Sequence, residues 1–196
     1  MFANRYTALI DACSLVDSLR RDLLLTLAEA EFFRVRWSAE ILGETERAIV
    51  RLAEDRGMTD AADRGTRARA VMEDAFPDAL VTSFDHLRSN ASGLPDEGDH
   101  HVLAAALKTQ AQTIVTENLR HFPAAVLDPL GLEARSADDF IADTIALDLG
   151  RAVPAISGMR QRLRRPPLTA EVFLRNMEAR GLSATVETLA PHVRSL

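Results

Sequence analysis

The stretch from Pro95 to Pro123 constrains the fold of this chain more than any other segment. It contains acids around a turn, an Ala- and Leu-rich helix pattern, a short break, an apolar strand at Thr113 to Thr116 and a polar turn at Glu117-Asn118. A helix followed by a buried strand is typical of a parallel α/β sheet. The acidic turn and the polar turn would then share the sheet edge outside the carboxyl ends of the strands, where open α/β sheets bind ligands.

Apolar runs and amphipathic patterns alternate along most of the chain. Strand patterns lie at 6–10, 32–35, 79–82, 113–116 and 133–135, and helix patterns at 14–31, 38–55, 58–75, 99–110 and 136–149, with a linker at 124–132. This alternation predicts a parallel sheet with right-handed crossovers. No strand pattern follows Gly150. We therefore predict an α/β domain over 1–149 and a small all-helical C-terminal extension over 150–196.

The net charge and the cysteine content limit the classes of protein to which this chain can belong. The net charge of −6 argues against a nucleic-acid binder that works by bulk positive charge. It is compatible with a nuclease, because carboxylates of a metal site are neutralised by the ion they bind. Cys13 is the single cysteine, which fits a reducing compartment. The N-terminus does not resemble a signal peptide, and no apolar run approaches the ~20 residues of a membrane span. We expect a cytoplasmic protein without a membrane partner.

Four polar side chains are predicted to meet at the sheet edge. Asp11 ends the first strand, and Asp99 begins the helix that leads to the strand at Thr113. Asn118 follows that strand, and Glu44 lies on a helix that flanks the first strand. Oxygen ligands in this number suit Mg²⁺ or Mn²⁺. Such ions activate water and stabilise the charge that develops on a phosphodiester during its hydrolysis.

Other interpretations of these acids remain open at this point. Asp11 also occupies a typical helix N-cap position. Glu44 also has Arg47 and Arg51 within reach on its own helix. The His100-His101 doublet is interpreted as helix-surface residues, because adjacent helix positions do not face one another.

Several blocks resemble a known family. The segments LIDACSLVDSLRRDLLL, RVRWSAEILGETER, FPDALVTSFDHL and LPDEGDHHVLAAAL…TIVTENLRHFP resemble, in order, the blocks of PIN-domain ribonucleases, in particular the VapC-type toxins of bacterial toxin–antitoxin pairs. The resemblance covers roughly residues 7 to 145. The tail, with LRRPPLTAEVFL, resembles the helical extension of one subgroup of these toxins.

The resemblance implies a doubly wound parallel sheet and a site for Mg²⁺ or Mn²⁺. Asp11, Glu44 and Asp99 match acids of the family motif, and Asp96 matches an acid often found just before the last of these. Asn118 stands where many relatives carry Asp. This departure removes one negative charge from the place where a second metal would bind.

The implied activity is endonucleolytic cleavage of RNA by a toxin that a cognate antitoxin inhibits, in a protein that forms a homodimer. Asp11, Asp99, Glu44 and Asp96 would hold the metal, and Asn118 would act in catalysis. The candidate substrate-binding residues are Thr116, Arg120, Arg160 and Arg164. A non-catalytic PIN-like module that binds RNA or protein, and a DNA nuclease with the same site, are the alternatives. The arginines at 160–165 fit either a phosphate-binding stripe or a solvated helix face.

Overall fold

The computed structural model describes residues 6–163 and 168–196. In these residues one sheet of five parallel strands has the order β3-β2-β1-β4-β5. The strands are β1 Thr7–Ile10, β2 Arg34–Ser38, β3 Leu80–Val81, β4 Thr113–Val115 and β5 Glu133–Arg135. The predicted α/β class, with a doubly wound parallel sheet flanked by helices, is confirmed.

The centre of the sheet fixes where a ligand would bind. β1 pairs with β2 on one side and with β4 on the other, so that Leu9 lies opposite both Arg36 and Ile114. The chain runs outward from β1 through β2 to β3, then returns to the other side of β1 and runs outward again. The strand order therefore reverses between β1 and β4, and the crevice at the carboxyl ends of these two strands is the ligand position of such sheets.

Helices follow the strands throughout the described residues. They are α1 Ala12–Leu15, α2 Ser18–Glu29, α3 Ala39–Asp55, α4 Ala61–Ala75, α5 His100–Lys108, α6 Ala124–Leu127, α7 Ala137–Leu147, α8 Leu149–Arg162, α9 Ala170–Glu178 and α10 Ser183–Leu189. Ser38, Ser136 and Thr169 accept hydrogen bonds from the first turns of α3, α7 and α9, as the sequence predicts for N-caps.

Three sequence predictions need correction. The helix predicted over 14–31 is interrupted, because Asp17 accepts a hydrogen bond from the Arg20 amide and starts α2 anew. The second strand lies at Arg34–Ser38 rather than 32–35, since the Arg34 amide donates to the Tyr6 carbonyl and sets the register with β1. The linker predicted over 124–132 contains α6 and a 3-10 turn at Asp128–Leu130.

The hydrophobic core lies on and beneath β1. All four residues of β1 are buried, which explains why the strand reads as a continuous apolar run. Trp37 of β2 is fully buried and packs edge-on against Phe76. Helix α5 is buried continuously from His101 to Ala106 and packs against β1, β2 and β4. This burial fixes the first turn of α5 beside the carboxyl ends of the central strands.

The C-terminal helices pack on the α/β domain through α2 and α7. Helix α8 contacts α2, and α10 contacts α7. The Asp138 carboxylate of α7 accepts hydrogen bonds from the amides of Ala184 and Thr185 at 2.8 and 2.9 Å, at the start of α10. The predicted domain boundary at 149/150 falls at the start of α8 and stays a prediction. Arg164, Arg165 and the Pro166-Pro167 pair lie outside the described residues.

No helix in the described ranges combines the length and the apolar character that crossing a membrane requires.

Candidate metal centre

Asp11 is fixed at the end of β1 by hydrogen bonds to both carboxylate oxygens. Its Oδ1 accepts from the Ala12 amide at 2.7 Å, so Asp11 is the N-cap of α1, one of the interpretations that the sequence left open. Its Oδ2 accepts from the Thr116 hydroxyl at 2.7 Å and from the Cys13 thiol at 3.0 Å. The side chain is almost fully buried, with 4% of its surface exposed. This hydrogen bonding orients the carboxylate and leaves one lone-pair site, on Oδ1, for a cation.

The Cys13 thiol is a donor in this arrangement and not a nucleophile. Burial, followed by the negative charge of Asp11, raises the pKa of Cys13 to about 12. The protonated sulfur donates to Asp11 and accepts a hydrogen bond from the Glu117 amide at 3.1 Å. It thereby ties the end of β1 to the turn that follows β4.

Thr116 begins a hydrogen-bonded turn after β4. Its buried Oγ1, the donor to Asp11, accepts from the Asn118 amide at 3.1 Å. The Asn118 carbonyl in turn accepts from the His121 amide at 2.8 Å. The prediction that the Thr116 hydroxyl fixes this turn is confirmed, and its assignment as a substrate-binding residue stays a prediction.

Asp96, Asp99 and His121 form a compact group at the start of α5. Asp99 Oδ2 lies 2.8 Å from His121 Nδ1, and Asp96 Oδ2 lies 3.6 Å from the same nitrogen. One potential ligand atom from each of the three residues lies within 4.8 Å of the others. Asp96 also accepts a hydrogen bond from the Gly98 amide at 2.8 Å, which stabilises the acidic turn.

The carboxylate of Asp99 lies in an acidic environment. Burial raises the pKa of Asp99 above its ordinary value of 3.8, and the charges of Asp11 and Asp96 raise it further, against the hydrogen bond from His121. Among residues 6–163 and 168–196, no Arg or Lys forms an ion pair with any of these three acids. Clustered carboxylates without an Arg or Lys partner create a local negative potential that a divalent cation would neutralise.

Glu44 is held at the first turn of α5 by a buried histidine. His101 Nε2 lies 3.2 Å from Glu44 Oε1, and the His101 side chain is 5% exposed while that of Glu44 is 38% exposed. Burial alone lowers the pKa of His101, but the hydrogen bond and charge of Glu44 outweigh it and the pKa is raised. The interpretation of His101 as a helix-surface residue is therefore wrong, because α5 is buried along its whole first half.

The remaining predicted residues occupy different environments. Asn118 is half-buried in the turn after β4, and Arg120 is exposed next to it. Arg160 is partly buried and donates to the Leu168 carbonyl, which joins α8 to the start of α9. Arg164 lies outside the described residues. The substrate-binding assignments of these arginines stay predictions.

His121 and His101 are the site residues that sequence reasoning did not assign to the metal centre. His121 follows Asn118 by three positions in one turn, a spacing that places it over the same edge. His101 stands at the head of the apolar run VLAAA. Neither signal is specific, since both histidines acquire their partners from segments distant in sequence, Asp96–Asp99 for one and α3 for the other.

Comparison with known proteins identifies the family. Residues 7–120, more than half of the chain, match the PIN domain family. The chain belongs to the PIN-domain family. Residues 137–191 match a second family, described as the VapC50 C-terminal domain, so the predicted resemblance to VapC-type PIN proteins with a C-terminal extension is confirmed.

A curated relative is named "Putative ribonuclease VapC50", from Mycobacterium tuberculosis. It is 41% identical to this chain over 76 residues, which are 39% of this chain and 45% of the relative. The aligned region thus spans less than half of either protein. No solved structure is significantly similar to this chain.

Proposed function

We propose that this protein is a divalent-metal-dependent endoribonuclease that acts as the toxin of a toxin–antitoxin pair. The observation that carries the proposal is the group of Asp96, Asp99 and His121 at the start of α5, beside the reversal point of a PIN-domain sheet where Asp11 ends β1. The PIN family and the name of the relative support ribonuclease chemistry.

The donor set fits a divalent ion. Carboxylate oxygens are the preferred ligands of Mg²⁺ and Mn²⁺. Asp11 is buried, Asp99 is half-buried and Asp96 is exposed, and none of the three pairs with an Arg or Lys in the described parts of the chain. Asp11 and Asp99 would hold the ion directly, with Asp96 at the exposed side. The bound ion would supply Lewis acidity for hydrolysis of the phosphodiester.

Side chains around the metal ligands are proposed to orient a water, to position Asp11 and to bind the phosphate. Glu44, held by His101, would orient a water or complete the ligand set through its free oxygen. The Thr116 hydroxyl keeps Asp11 in one orientation, which preorganises the site. Asn118 and the exposed Arg120 lie next to this edge, where an amide and a guanidinium would position the scissile phosphate. Arg160 and Arg164 are proposed to contact RNA further from the cut.

The test is cleavage of a mixed RNA pool by the full-length protein with Mg²⁺, with Mn²⁺ and with excess chelator. We expect metal-dependent cleavage that Asp99→Asn abolishes. Glu97→Gln is the matched control, because it removes the same charge from an exposed acid of the same turn. RNA binding without cleavage under all metal conditions would favour a binding module, and cleavage of DNA in place of RNA would favour a DNA nuclease.

The antitoxin is proposed to act at the same sheet edge. Asp96 and Arg120 are exposed there, so that an Arg or Lys of a partner would be able to pair with Asp96 and block the metal. We expect the cognate antitoxin, the product of a small neighbouring gene, to abolish cleavage and to protect this region in hydrogen exchange. Protection confined to the opposite edge of the sheet would contradict this.

A homodimer is proposed from the same family setting, and its test is the molar mass in solution.

A further inference from the structure

A continuous chain of hydrogen bonds places His121 against the acids. It runs from the Asp11 carboxylate to the Thr116 hydroxyl, from that oxygen to the Asn118 amide, and from the Asn118 carbonyl to the His121 amide. At the end of this chain, Nδ1 of the His121 ring lies 2.8 Å from Asp99 Oδ2. The backbone of His121 thus belongs to the same turn that orients Asp11, and its ring is held by the contact with Asp99.

From this geometry we infer that His121 is a nitrogen ligand of the metal centre, and that the centre therefore prefers transition-metal dications such as Mn²⁺ and Co²⁺ over Mg²⁺. The inference rests on the proposed metal-dependent function and adds a ligand to it. Its basis is the grouping of His121 Nδ1 with one oxygen each of Asp96 and Asp99 within 4.8 Å.

The separations of the donor atoms suit a shared ion. Neighbouring ligands of an octahedral ion with bonds of about 2.1 Å stand about 3 Å apart. His121 Nδ1 lies 2.8 Å from Asp99 Oδ2 and 3.6 Å from Asp96 Oδ2, on either side of this value. The imidazole side chain is 23% exposed, so that its second nitrogen can keep its proton and exchange hydrogen bonds with water.

Ligand chemistry converts this geometry into a metal preference. Imidazole favours transition-metal ions, whereas an all-oxygen set favours Mg²⁺, Ca²⁺ and Mn²⁺. Mn²⁺ accepts both kinds of ligand, and affinity for nitrogen-containing sites rises from Mn²⁺ to Co²⁺. Replacing one oxygen ligand by His therefore favours Co²⁺ most, Mn²⁺ less and Mg²⁺ least. It also supplies a neutral ligand beside three acids, which limits the negative charge concentrated at the site.

The competing arrangement keeps His121 outside the ligand set. In that arrangement the Nδ1–H donates to Asp99 with or without the metal, and the ring only orients the carboxylate. The two arrangements differ in one observable property, namely whether a nitrogen nucleus is bonded to the metal.

The experiment uses the full-length protein with Mg²⁺, Mn²⁺ or Co²⁺ alone. Calorimetry gives the three affinities, and electron spin echo measurements on the Mn²⁺ form report a directly bonded ¹⁴N. The variants are His121→Asn, which retains an amide to hydrogen-bond Asp99, and His121→Ala. His86→Asn is the matched control, because His86 is exposed on the turn Asp85–Ala91 outside the site.

We expect the wild-type and His86→Asn proteins to show the ¹⁴N coupling and to bind Mn²⁺ and Co²⁺ at least about tenfold more tightly than Mg²⁺. Both His121 variants should lose the coupling and bind Mn²⁺ and Co²⁺ about 10–100-fold more weakly, with a much smaller change for Mg²⁺. Absence of the coupling in the wild type, or equal losses for all three ions, would overturn the inference.

Asp99→Asn separates this inference from the proposed function. If Asp99→Asn abolishes binding of all three ions while His121→Asn leaves them unchanged, the inference about His121 fails and the metal centre stands. If Asp99→Asn leaves metal binding unchanged, the proposed metal centre itself fails.

Discussion

The acids of the sheet edge and the charges of the C-terminal helices are used in opposite ways. In the C-terminal part, Asp138 caps α10, Arg180 lies 3.1 Å from Asp17, and Arg151 stacks over the ring of Phe32 while donating to the Ala30 carbonyl. Each of these charges joins two elements of the fold. At the sheet edge, Asp96 and Asp99 lie against one another and against a histidine.

The difference separates charges that stabilise the fold from charges to which the proposed function assigns a ligand. A carboxylate that accepts two backbone amides lowers the free energy of the folded chain. A partly buried carboxylate near two others raises that free energy, because like charges and lost hydration both disfavour the ionised form. The predictions below test this contrast, beginning with the largest expected effect.

The largest effect is expected on activity at the sheet edge. Asp11→Asn and Asp99→Asn should each lower metal-dependent RNA cleavage by at least about 100-fold, since removal of a ligand exceeds the 10–100-fold cost of changes around ligands. Asn118→Ala should be milder, because a neutral amide holds a cation less strongly. The measurement is the initial rate of cleavage, with metal affinity by calorimetry on each variant.

The same variants should separate in stability without metal. Asp99→Asn should hold or raise the melting temperature at pH 7, because burial raises the pKa of Asp99 and makes its ionised form unfavourable in the folded state. That gain should shrink as the pH falls through the raised pKa of folded Asp99, and it should vanish below the ordinary value of 3.8, where the carboxylate is protonated in both the folded and the unfolded state. Asp11→Asn should cost about 1–3 kcal/mol, because Asn can still cap α1 but its NH2 group cannot accept the hydrogen bonds that Thr116 and Cys13 donate to Oδ2. A large loss of stability in Asp99→Asn would remove the contrast between the two regions.

An intermediate effect is expected for the pair that supports the site. His101→Leu should lower cleavage about tenfold by releasing Glu44, to nearly the level of Glu44→Gln, and the double variant should be no worse than either single one. His101→Gln, which keeps an amide donor near the position of Nε2, should restore part of the rate. If His101→Gln is as inactive as His101→Leu while both melt below the wild type, His101 serves packing and not Glu44.

In the C-terminal helices the effect should appear in stability alone. Asp138→Ala removes the acceptor of two amides at the start of α10 and should cost about 1–2 kcal/mol. Cleavage per folded molecule should be unchanged. Glu187→Ala, at an exposed acid of α10, is the matched control and should change neither property. Urea unfolding and cleavage assays on the same samples decide this, and loss of cleavage at full stability would show that the extension takes part in catalysis.

The smallest effect is expected at the arginines of α8. The Arg162 side chain is 64% exposed, and its ion pair with the similarly exposed Glu29 is long, at 3.9 Å. If Arg162 contacts RNA, Arg162→Ala should make the slope of log affinity against log salt less steep by about 1. Arg160→Ala should chiefly lower the melting temperature, because Arg160 donates to the Leu168 carbonyl. An unchanged salt slope in Arg162→Ala would return this stretch to the solvated-face interpretation.

The sequence by itself determined the fold class and the backbone positions of the principal acids. An apolar run that ends in Asp11, a helix that begins at Asp99 and a strand that ends before Asn118 require one edge of a parallel sheet, since side-chain period and strand direction are local properties. The N-caps at Ser38, Ser136 and Thr169 were also predictable, because a cap depends on residues three positions apart.

Only the tertiary structure decided which side chains complete the site. His121 meets Asp99 because the turn after β4 is tied to Asp11 through Thr116, and these contacts join residues 105 and 22 positions apart. His101 meets Glu44 because α5 is buried against the sheet and faces α3. A sequence pattern gives the hydrophobic period of a single helix or strand. The partner of a histidine depends on how two such elements pack together, and the sequence of either element alone does not specify that packing.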